Sequence, residues 1–312
     1  MRYGFGIDLG GTTVKLAYFD ETGRLLDKWE IPTDTSDGGS RILGDIAGAV
    51  LGYLERNAIP RECIVGLGIG VPGPVDKNGN VNRCINLGWG VFNVEKELSD
   101  LTGLPVKAGN DANVAALGEC WMGGGKGCSS MILATLGTGV GGGIIIDGKI
   151  LCGAQGAGGE IGHMVLDPEE QDVCGCGKRG CVEQYCSATG IVRTAKKYLA
   201  SCDTPSTLRA LEKLTCKDVF DAAAAADAAA TAILDTVYDC MAQFVANLCA
   251  VLNPETVVLG GGVSKAGQPL IDGVRARLGK YIYYACADTP VVLAQLGNDA
   301  GAYGAFKLVL DR

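Results

Sequence analysis

The chain has 312 residues, of which 47% are hydrophobic and 20% are charged, and its formal net charge at pH 7 is -8. This acidic balance disfavours nucleic acid as a partner, because phosphates require a basic protein face. The chain has no apolar run of about 18 residues or more, so we expect no membrane span.

Short apolar runs alternate with helical stretches along the chain, which is typical of an α/β protein. The first turns are too short for a parallel crossover, so the opening strands are expected to be antiparallel. The opening succession of strands and a helix recurs loosely over 129–260, which predicts two related halves with a cleft between them. The predicted strands are at 3–8, 14–19, 24–31, 64–71, 106 (short), 129–136, 142–146 and 256–259. The predicted helices are at 40–56, 93–101, 112–121, 189–200, 217–252 and 301–310. Asp111 is the predicted N-cap of the helix at 112–121.

The only histidine of the chain lies just before three closely spaced cysteines. Three thiols and one imidazole suit a closed, four-coordinate zinc site, although reduced thiols in a chain with 14 cysteines are the alternative. Glu160 and Glu183 lie among these residues and are not needed by zinc, so we expect them to bind a polar substrate. The predicted zinc ligands are His163, Cys174, Cys176 and Cys181.

Glycine turns follow three β-rich runs, at 8–12, 137–139 and 260–262. Such turns bring backbone N–H groups close to an anion, although a single one is more commonly a simple hairpin. The segment 137–142 matches the dinucleotide pattern G-x-G-x-x-G, but a strand and not a helix is expected to follow, which excludes a Rossmann site. Asp8 either stabilises its turn or serves Mg²⁺ with phosphates.

Five segments in order resemble the ROK family of sugar kinases and related repressors: DLGGT at 8, NDANVAALGE at 110, LGTGVGGG at 136, GxGGExGH at 156 and CxCGxxGC at 174. Within it, the chain most resembles the bacterial ATP-dependent glucokinases. The resemblance implies an α/β actin-like ATPase (ribonuclease H-like) fold with two domains and a cleft between them. A small domain at 1–109 would be completed by the C-terminal helix at 300–312, and a large domain at 110–299 would carry the zinc knuckle and the ATP and sugar site.

The resemblance also implies the roles of individual residues. Asp111 matches the catalytic base that takes the proton of the sugar 6-hydroxyl. Trp89 would face the substrate or serve as a buried anchor. Many relatives carry Glu where Gly109 stands and Lys where Thr13 stands, which leaves open the role of Lys15. The implied sugar-binding residues are Asn86, Asn110, Asp111, Glu160, His163 and Glu183, and the implied ATP-binding residues are Asp8, Gly10, Gly11, Thr12, Gly137, Thr138, Gly139, Gly260, Gly261 and Gly262.

The expected reaction is transfer of the γ-phosphate of ATP, with Mg²⁺, to the 6-hydroxyl of glucose. An N-acetylmannosamine or N-acetylglucosamine kinase of the same family is the alternative, and a sugar-binding regulatory protein without kinase activity is the alternative from another class. Only seven residues precede Asp8, so we expect no helix-turn-helix domain. The acidic charge favours ATP over polyphosphate as donor. We further expect a cytoplasmic location, where the thiols stay reduced, and a homodimer or homotetramer.

Overall fold

The computed structural model describes residues 2–312 and has mixed α/β architecture. The strands are β1 (Tyr3–Leu9), β2 (Thr13–Asp20), β3 (Leu25–Pro32), β4 (Ile64–Val71), β5 (Asn80–Cys84), β6 (Trp89–Asn93), β7 (Val106–Asn110), β8 (Met131–Leu136), β9 (Val140–Ile146), β10 (Lys149–Ile150), β11 (Thr256–Gly260) and β12 (Val291–Leu293). The helices are α1 (Ile42–Arg56), α2 (Val94–Thr102), α3 (Asp111–Met122), α4 (Glu183–Cys186), α5 (Ala188–Ser201), α6 (Cys216–Ala224), α7 (Ala228–Leu252), α8 (Gln268–Leu278) and α9 (Ala300–Leu310).

The first sheet has the strand order β3-β2-β1-β4-β7. The β1–β2 and β2–β3 pairs are antiparallel, as the short turns predict, whereas β1–β4 and β4–β7 are parallel. Side chains of α1 and α2 cover one face in a continuous apolar core. On the other face α9 lies so close to β1 that a Cβ atom on Gly6 would overlap the carbonyl oxygen of Ala302. Glycine is therefore what allows this helix to pack directly on the strand.

The second sheet has the strand order β10-β9-β8-β11-β12. When the strands of each sheet are numbered along the chain, the two sheets have the same strand order. Its edge pair β9–β10 is antiparallel, and β8, β11 and β12 are parallel. The repeated strand order confirms the predicted recurrence of one α/β pattern in both halves of the chain. The strands β5 and β6 form a separate, two-stranded antiparallel sheet.

Two compact units can be distinguished along the chain. Unit 1 comprises the chain up to Ser130, Gly143–Gly159 and Gln295–Arg312, and unit 2 comprises Met131–Gly142 and Glu160–Ala294. The C-terminal helix α9 belongs to unit 1. The division at 109 and 300 that the resemblance implies stays a prediction.

Two helix boundaries differ from the sequence prediction. The helix predicted at 217–252 is two helices, because Asp227 interrupts it and caps α7 by accepting a hydrogen bond from the N–H of Ala230 at 3.0 Å. The predicted N-cap at Asp111 is wrong by one residue, since Asn110 caps α3. Among residues 2–312 no helix has both the length and the apolar character that a membrane span requires.

Candidate functional site

In unit 1 the predicted polar residues lie where parallel strands end. Asp8 is near the end of β1, a proline-glycine loop follows β4, and Asn110 ends β7. The carboxyl ends of parallel strands share one edge of a sheet, which is where α/β proteins place their ligands. The Nδ2 of Asn110 donates a hydrogen bond to the carbonyl of Gly73 at 3.1 Å, so the loop after β4 and the end of β7 are tied together.

Asn110 and Asp111 have distinct places at the start of α3. The Oδ1 of Asn110 accepts hydrogen bonds from the N–H groups of Ala112 at 3.1 Å and Asn113 at 3.2 Å, which is why Asn110 and not Asp111 is the cap. Asp111 is the first helical residue and is half-buried, and its Oδ1 accepts from the N–H of Ala112 at 2.8 Å. The helix dipole favours the ionised carboxylate there. The side chain of Asp111 is thus fixed at the start of α3.

The hairpin β5–β6 lies beside this helix start. Burial raises the pKa of the Cys84 thiol, and the negative charge of Asp111 raises it further, so Asp111 is close to the end of β5. Asn86 follows two residues later and is exposed. Trp89 is buried and donates from Nε1 to the carbonyl of Gly39 at 3.1 Å, which makes it an anchor of the hairpin and not a substrate-facing side chain.

The first glycine turn is closed by backbone bonds and open toward solvent. Gly10 donates its N–H to Thr13 at 3.0 Å, and the Thr33 hydroxyl donates to the carbonyl of Gly10 at 2.7 Å. Gly11 and Thr12 are exposed, so their polar groups are available to a ligand. The turn therefore presents a fixed and accessible backbone, which an anionic ligand requires.

The second and third glycine turns lie together in unit 2, at the ends of the parallel strands β8 and β11. Gly261 has a positive φ of 80°, and a Cβ atom there would lie 2.6 Å from the carbonyl oxygen of Leu136. The N–H of Val140, just after the 137–139 turn, donates to the Oε2 of Glu183 at 3.1 Å. A Cβ atom on Gly139 would overlap the same carboxylate. Glu183 therefore holds the 137–139 turn in place.

The four predicted zinc ligands converge in unit 2, with their candidate ligand atoms all within 4.8 Å of one another. The Nδ1 of His163 lies 3.9 Å from the Sγ of Cys174, and the Sγ atoms of Cys176 and Cys181 are 3.6 Å apart. Ligands at zinc bond lengths of about 2.0–2.3 Å have separations of this order, and the donor set suits zinc. Without a metal, burial raises the pKa of Cys181 to about 12, whereas a dication would stabilise the thiolate. The cluster therefore fits a structural zinc ion.

An ion network around the buried Glu170 supports the loop that carries these cysteines. Glu170 accepts from Arg193 at 2.7 Å and from Lys197 at 3.0 Å, and Tyr185 donates to it at 2.8 Å. Burial alone would raise the pKa of Glu170, but the hydrogen bonds from Arg193 and the other donors outweigh it and hold the pKa far below its ordinary value. Arg193 also binds Asp172 at 2.9 Å, so helix α5 and the loop are joined through two carboxylates.

Sequence reasoning left out Asn113 and Glu119 of unit 1, and it left the role of Lys15 open. The Nδ2 of Asn113 donates to the carbonyl of Gly158 at 3.3 Å, and its buried Oδ1 has no hydrogen-bond partner among the described residues. Glu119, at the far end of α3, is buried with its carboxylate bound to backbone N–H groups. Lys15 faces Asp8 across β1 and β2. Asn113 and Glu119 lie within the NDANVAALGE motif, so their position in it was the available signal.

Comparison with known proteins identifies the family. The ROK family profile matches residues 4–312. The glucokinase of Halalkalibacterium halodurans is 43% identical over 99% of this chain and 95% of its own length, and that of Thermotoga maritima is 38% identical over 98% and 97%. The solved structure of a ROK family glucokinase from Streptomyces griseus, in complex with glucose and AMPPNP, superposes with a TM-score of 0.75 at 32% identity, covering 98% of each chain. The chain therefore belongs to the ROK family and has its actin-like ATPase fold.

Proposed function

We propose that the protein is an ATP-dependent glucokinase, which transfers the γ-phosphate of ATP to the 6-hydroxyl of glucose and gives glucose 6-phosphate and ADP. The observation that carries the proposal is the Asn110-Asp111 pair, fixed at the end of β7 and the start of α3. Glucokinase relatives that reach 43% identity over nearly the full length of the chain also support the proposal.

Asp111 is the proposed catalytic base. It accepts the proton of the sugar 6-hydroxyl as that oxygen attacks the γ-phosphorus, and the bond from this phosphorus to the bridging oxygen of ADP breaks. Because phosphoryl transfer depends mainly on positioning and charge neutralisation, an ionised carboxylate within hydrogen-bond reach is sufficient. As the first residue of α3, Asp111 has a fixed backbone, and a negative charge is favoured at the N-terminus of a helix.

Amides, carboxylates and one imidazole are the proposed sugar ligands, because such groups pair with vicinal hydroxyls. His163 has its Nδ1 toward Cys174, which leaves Nε2 for a sugar hydroxyl. Glu183 is shared between the sugar and the turn that it braces. The other proposed sugar ligands are Asn86, Asn110, Asp111 and Glu160.

The three glycine turns are the proposed ATP-binding segments. The exposed backbone at Gly11 and Thr12 and that of the 137–139 turn would receive the phosphates, and the exposed Gly261 and Gly262 would lie against the adenosine. Asp8, a carboxylate at the end of a strand, would hold Mg²⁺. When bound, Mg²⁺ neutralises charge on the phosphate oxygens. The zinc ion proposed for the Cys₃His cluster would fix His163 and its loop and take no part in the chemistry.

A kinase for an N-acetylated hexosamine is the second candidate, since such sugars differ from glucose at one ring position. N-acetylglucosamine and N-acetylmannosamine kinases match this chain at 30% and 32% identity, below the glucokinases, which favours glucose. A sugar-binding regulator without kinase activity would not need Asp111. We also propose a cytoplasmic homodimer or homotetramer.

The decisive experiment is an ADP-release assay with MgATP against glucose, mannose, N-acetylglucosamine and N-acetylmannosamine. We expect the highest kcat/KM on glucose. Asp111→Asn should lower kcat by about a thousandfold while glucose affinity, measured by calorimetry, changes little. Asp100→Asn, at an exposed carboxylate on α2, is the matched control and should behave as the wild type. Preference for an acetamido sugar would reassign the substrate, and full turnover by the Asp111 variant would refute its role as the base.

A further inference from the structure

The side chain of Asn113 is a buried amide, and only one of its two polar atoms has a partner. Asn113 lies in the first turn of α3, two residues after Asp111, and is 4% exposed. Its Nδ2 donates to the carbonyl of Gly158 at 3.3 Å, whereas its Oδ1 has no hydrogen-bond partner among residues 2–312. Burying an acceptor without a donor destabilises a fold, so this oxygen requires an explanation.

The loop that Asn113 holds, at 151–159, doubles back on itself. The N–H of Gly158 donates to the carbonyl of Cys152 at 2.8 Å, which closes the loop. A Cβ atom on Gly158 would overlap a backbone carbonyl at the start of the loop, so glycine is what allows the two ends to come this close. Glu160, a proposed sugar ligand, follows directly after the loop. The position of Gly158 therefore determines where the chain enters Glu160.

The two asparagines at the start of α3 each hold one loop. Asn110 donates to a carbonyl of the loop after β4, and Asn113, one helical turn later, donates to a carbonyl of the 151–159 loop. The two loops also meet each other, because a Cβ atom on Gly156 would lie 2.9 Å from the carbonyl oxygen of Val75. The start of α3, where the proposed catalytic base lies, thus ties both loops together.

We propose that Asn113 is a positioning residue for the sugar. Its Nδ2 holds the 151–159 loop, and its Oδ1 accepts a hydrogen bond from a backbone N–H of this loop only when sugar is bound. An amide can contact a peptide segment through both of its polar atoms, and in the sugar-free protein only half of that contact is made. The second bond is gained together with the sugar, so it raises the affinity for sugar. The inference rests on the proposed sugar substrate.

Glucose affinity, measured by isothermal titration calorimetry without nucleotide, tests the proposal. Asn113→Ala removes both polar atoms and adds no volume to a buried position. We expect it to bind glucose at least about tenfold more weakly, because the bond gained with sugar is lost. MgATP affinity should stay within about twofold. Tm should stay within a few degrees, since the variant loses one long hydrogen bond but no longer buries an acceptor without a donor.

The matched control is Asn57→Ala. Asn57 is exposed at the end of α1, and its Nδ2 also donates to one backbone carbonyl, that of Tyr53 at 2.9 Å. The control removes a side-chain bond of the same kind outside the proposed site, so it should bind glucose as the wild type does.

Hydrogen exchange of the peptide that covers 151–159 reports on the loop itself. Glucose should slow this exchange several-fold in the wild type, and it should not do so in Asn113→Ala, where the contact cannot be completed. Asn113→Asp is a second variant that keeps the size of the side chain and leaves no cavity. It places an oxygen against the carbonyl of Gly158 in place of the donor, so we expect it to lose both the glucose affinity and the protection of the loop.

Wild-type glucose affinity in both Asn113 variants would overturn the proposal, and so would protection of the loop by glucose in both. An equal loss of glucose and MgATP affinity, or a large fall in Tm in both variants, would reveal a merely structural role. A wild type that binds sugar but releases no ADP would refute the glucokinase and leave the role of Asn113 standing. A wild type that phosphorylates glucose while both variants bind it normally would have the opposite meaning.

Discussion

Glu119 is a buried carboxylate on which unit 1 depends. It is 1% exposed and lies near the end of α3, whose first residue is Asp111. Its oxygens accept hydrogen bonds from the N–H groups of Gly124 at 2.8 Å, Gln295 at 3.0 Å and Leu296 at 2.8 Å. The carboxylate thus joins the end of α3 to the segment that leads into α9. We predict that Glu119→Gln destabilises unit 1.

The expected loss follows from the number of donors around this side chain. A carboxylate has two accepting oxygens, whereas the amide of Gln offers one oxygen and one NH₂ group. The NH₂ group would face backbone donors, so at least one buried N–H is left unsatisfied, and the charge that strengthens the remaining bonds is removed. Together these effects cost about 2–4 kcal/mol in the free energy of unfolding.

Urea unfolding followed by tryptophan fluorescence is the appropriate measurement. The chain has three tryptophans, and Trp29, Trp89 and Trp121 all lie in unit 1, so the signal reports on that unit. Glu97→Gln, at an exposed position on α2, is the control and should change the free energy of unfolding by less than about 0.5 kcal/mol. A Glu119→Gln midpoint equal to that of the control would refute the reasoning.

Three further changes test other parts of the molecule. The lowered pKa of Glu170 means that its ionised form stabilises the fold above the ordinary pKa of 4.5 and that this contribution is lost as the pH falls below it. Melting curves should therefore show that Glu170→Gln is less stable than the wild type near neutral pH and that the difference shrinks toward about pH 3; a constant difference would contradict this. Cys176→Ala should lose bound zinc and melt at a lower temperature, whereas Cys202→Ala, outside the cluster, should keep the metal. If metal analysis finds zinc retained in Cys176→Ala, the proposed zinc site is refuted. Gly261→Ala should lower Tm and weaken ATP binding, because Gly261 has a φ of 80° and a Cβ atom there would lie 2.6 Å from a carbonyl oxygen. The control Gly262→Ala should keep the wild-type Tm, since Gly262 has a φ of -63° and no atom lies near the position of its Cβ. Equal melting temperatures of the two variants would show that backbone strain is not the cause.

Much of the fold could be predicted because hydrophobic periodicity and turn length are local signals. The helix at 42–56 and the strand at 64–71 carry continuous apolar patterns, and the antiparallel opening follows from short turns alone. Three short strands that sequence reasoning left out lack such signals. The β5–β6 hairpin has exposed positions along both strands, and β12 is three residues long, so tertiary packing and not local pattern determines them.

The residues of the candidate site also fall into two groups, those that a local sequence pattern identifies and those that it does not. Spacing alone indicated the Cys₃His cluster, because metal ligands must be close in space and three of them are close in the chain. The N-cap at Asn110 was missed by one residue, since Asn and Asp are both good caps and only the backbone angles decide between them. Lys15 and Glu119 depend on partners from the other end of the chain, Asn298 and Gln295, which no local pattern identifies.

Glu183 connects the Cys₃His cluster of unit 2 to the 137–139 turn. Its Oε2 accepts the N–H of Val140 at 3.1 Å, and its Oε1 lies 3.6 Å from the thiol of Cys174. It is also the first residue of α4, two positions after Cys181, so a zinc ion that holds the cysteines also fixes the backbone of Glu183. The proposed zinc ion would therefore act on the proposed ATP-binding turn as well as on the proposed sugar ligands, because the carboxylate that braces the 137–139 turn is positioned by the loop that the zinc would close.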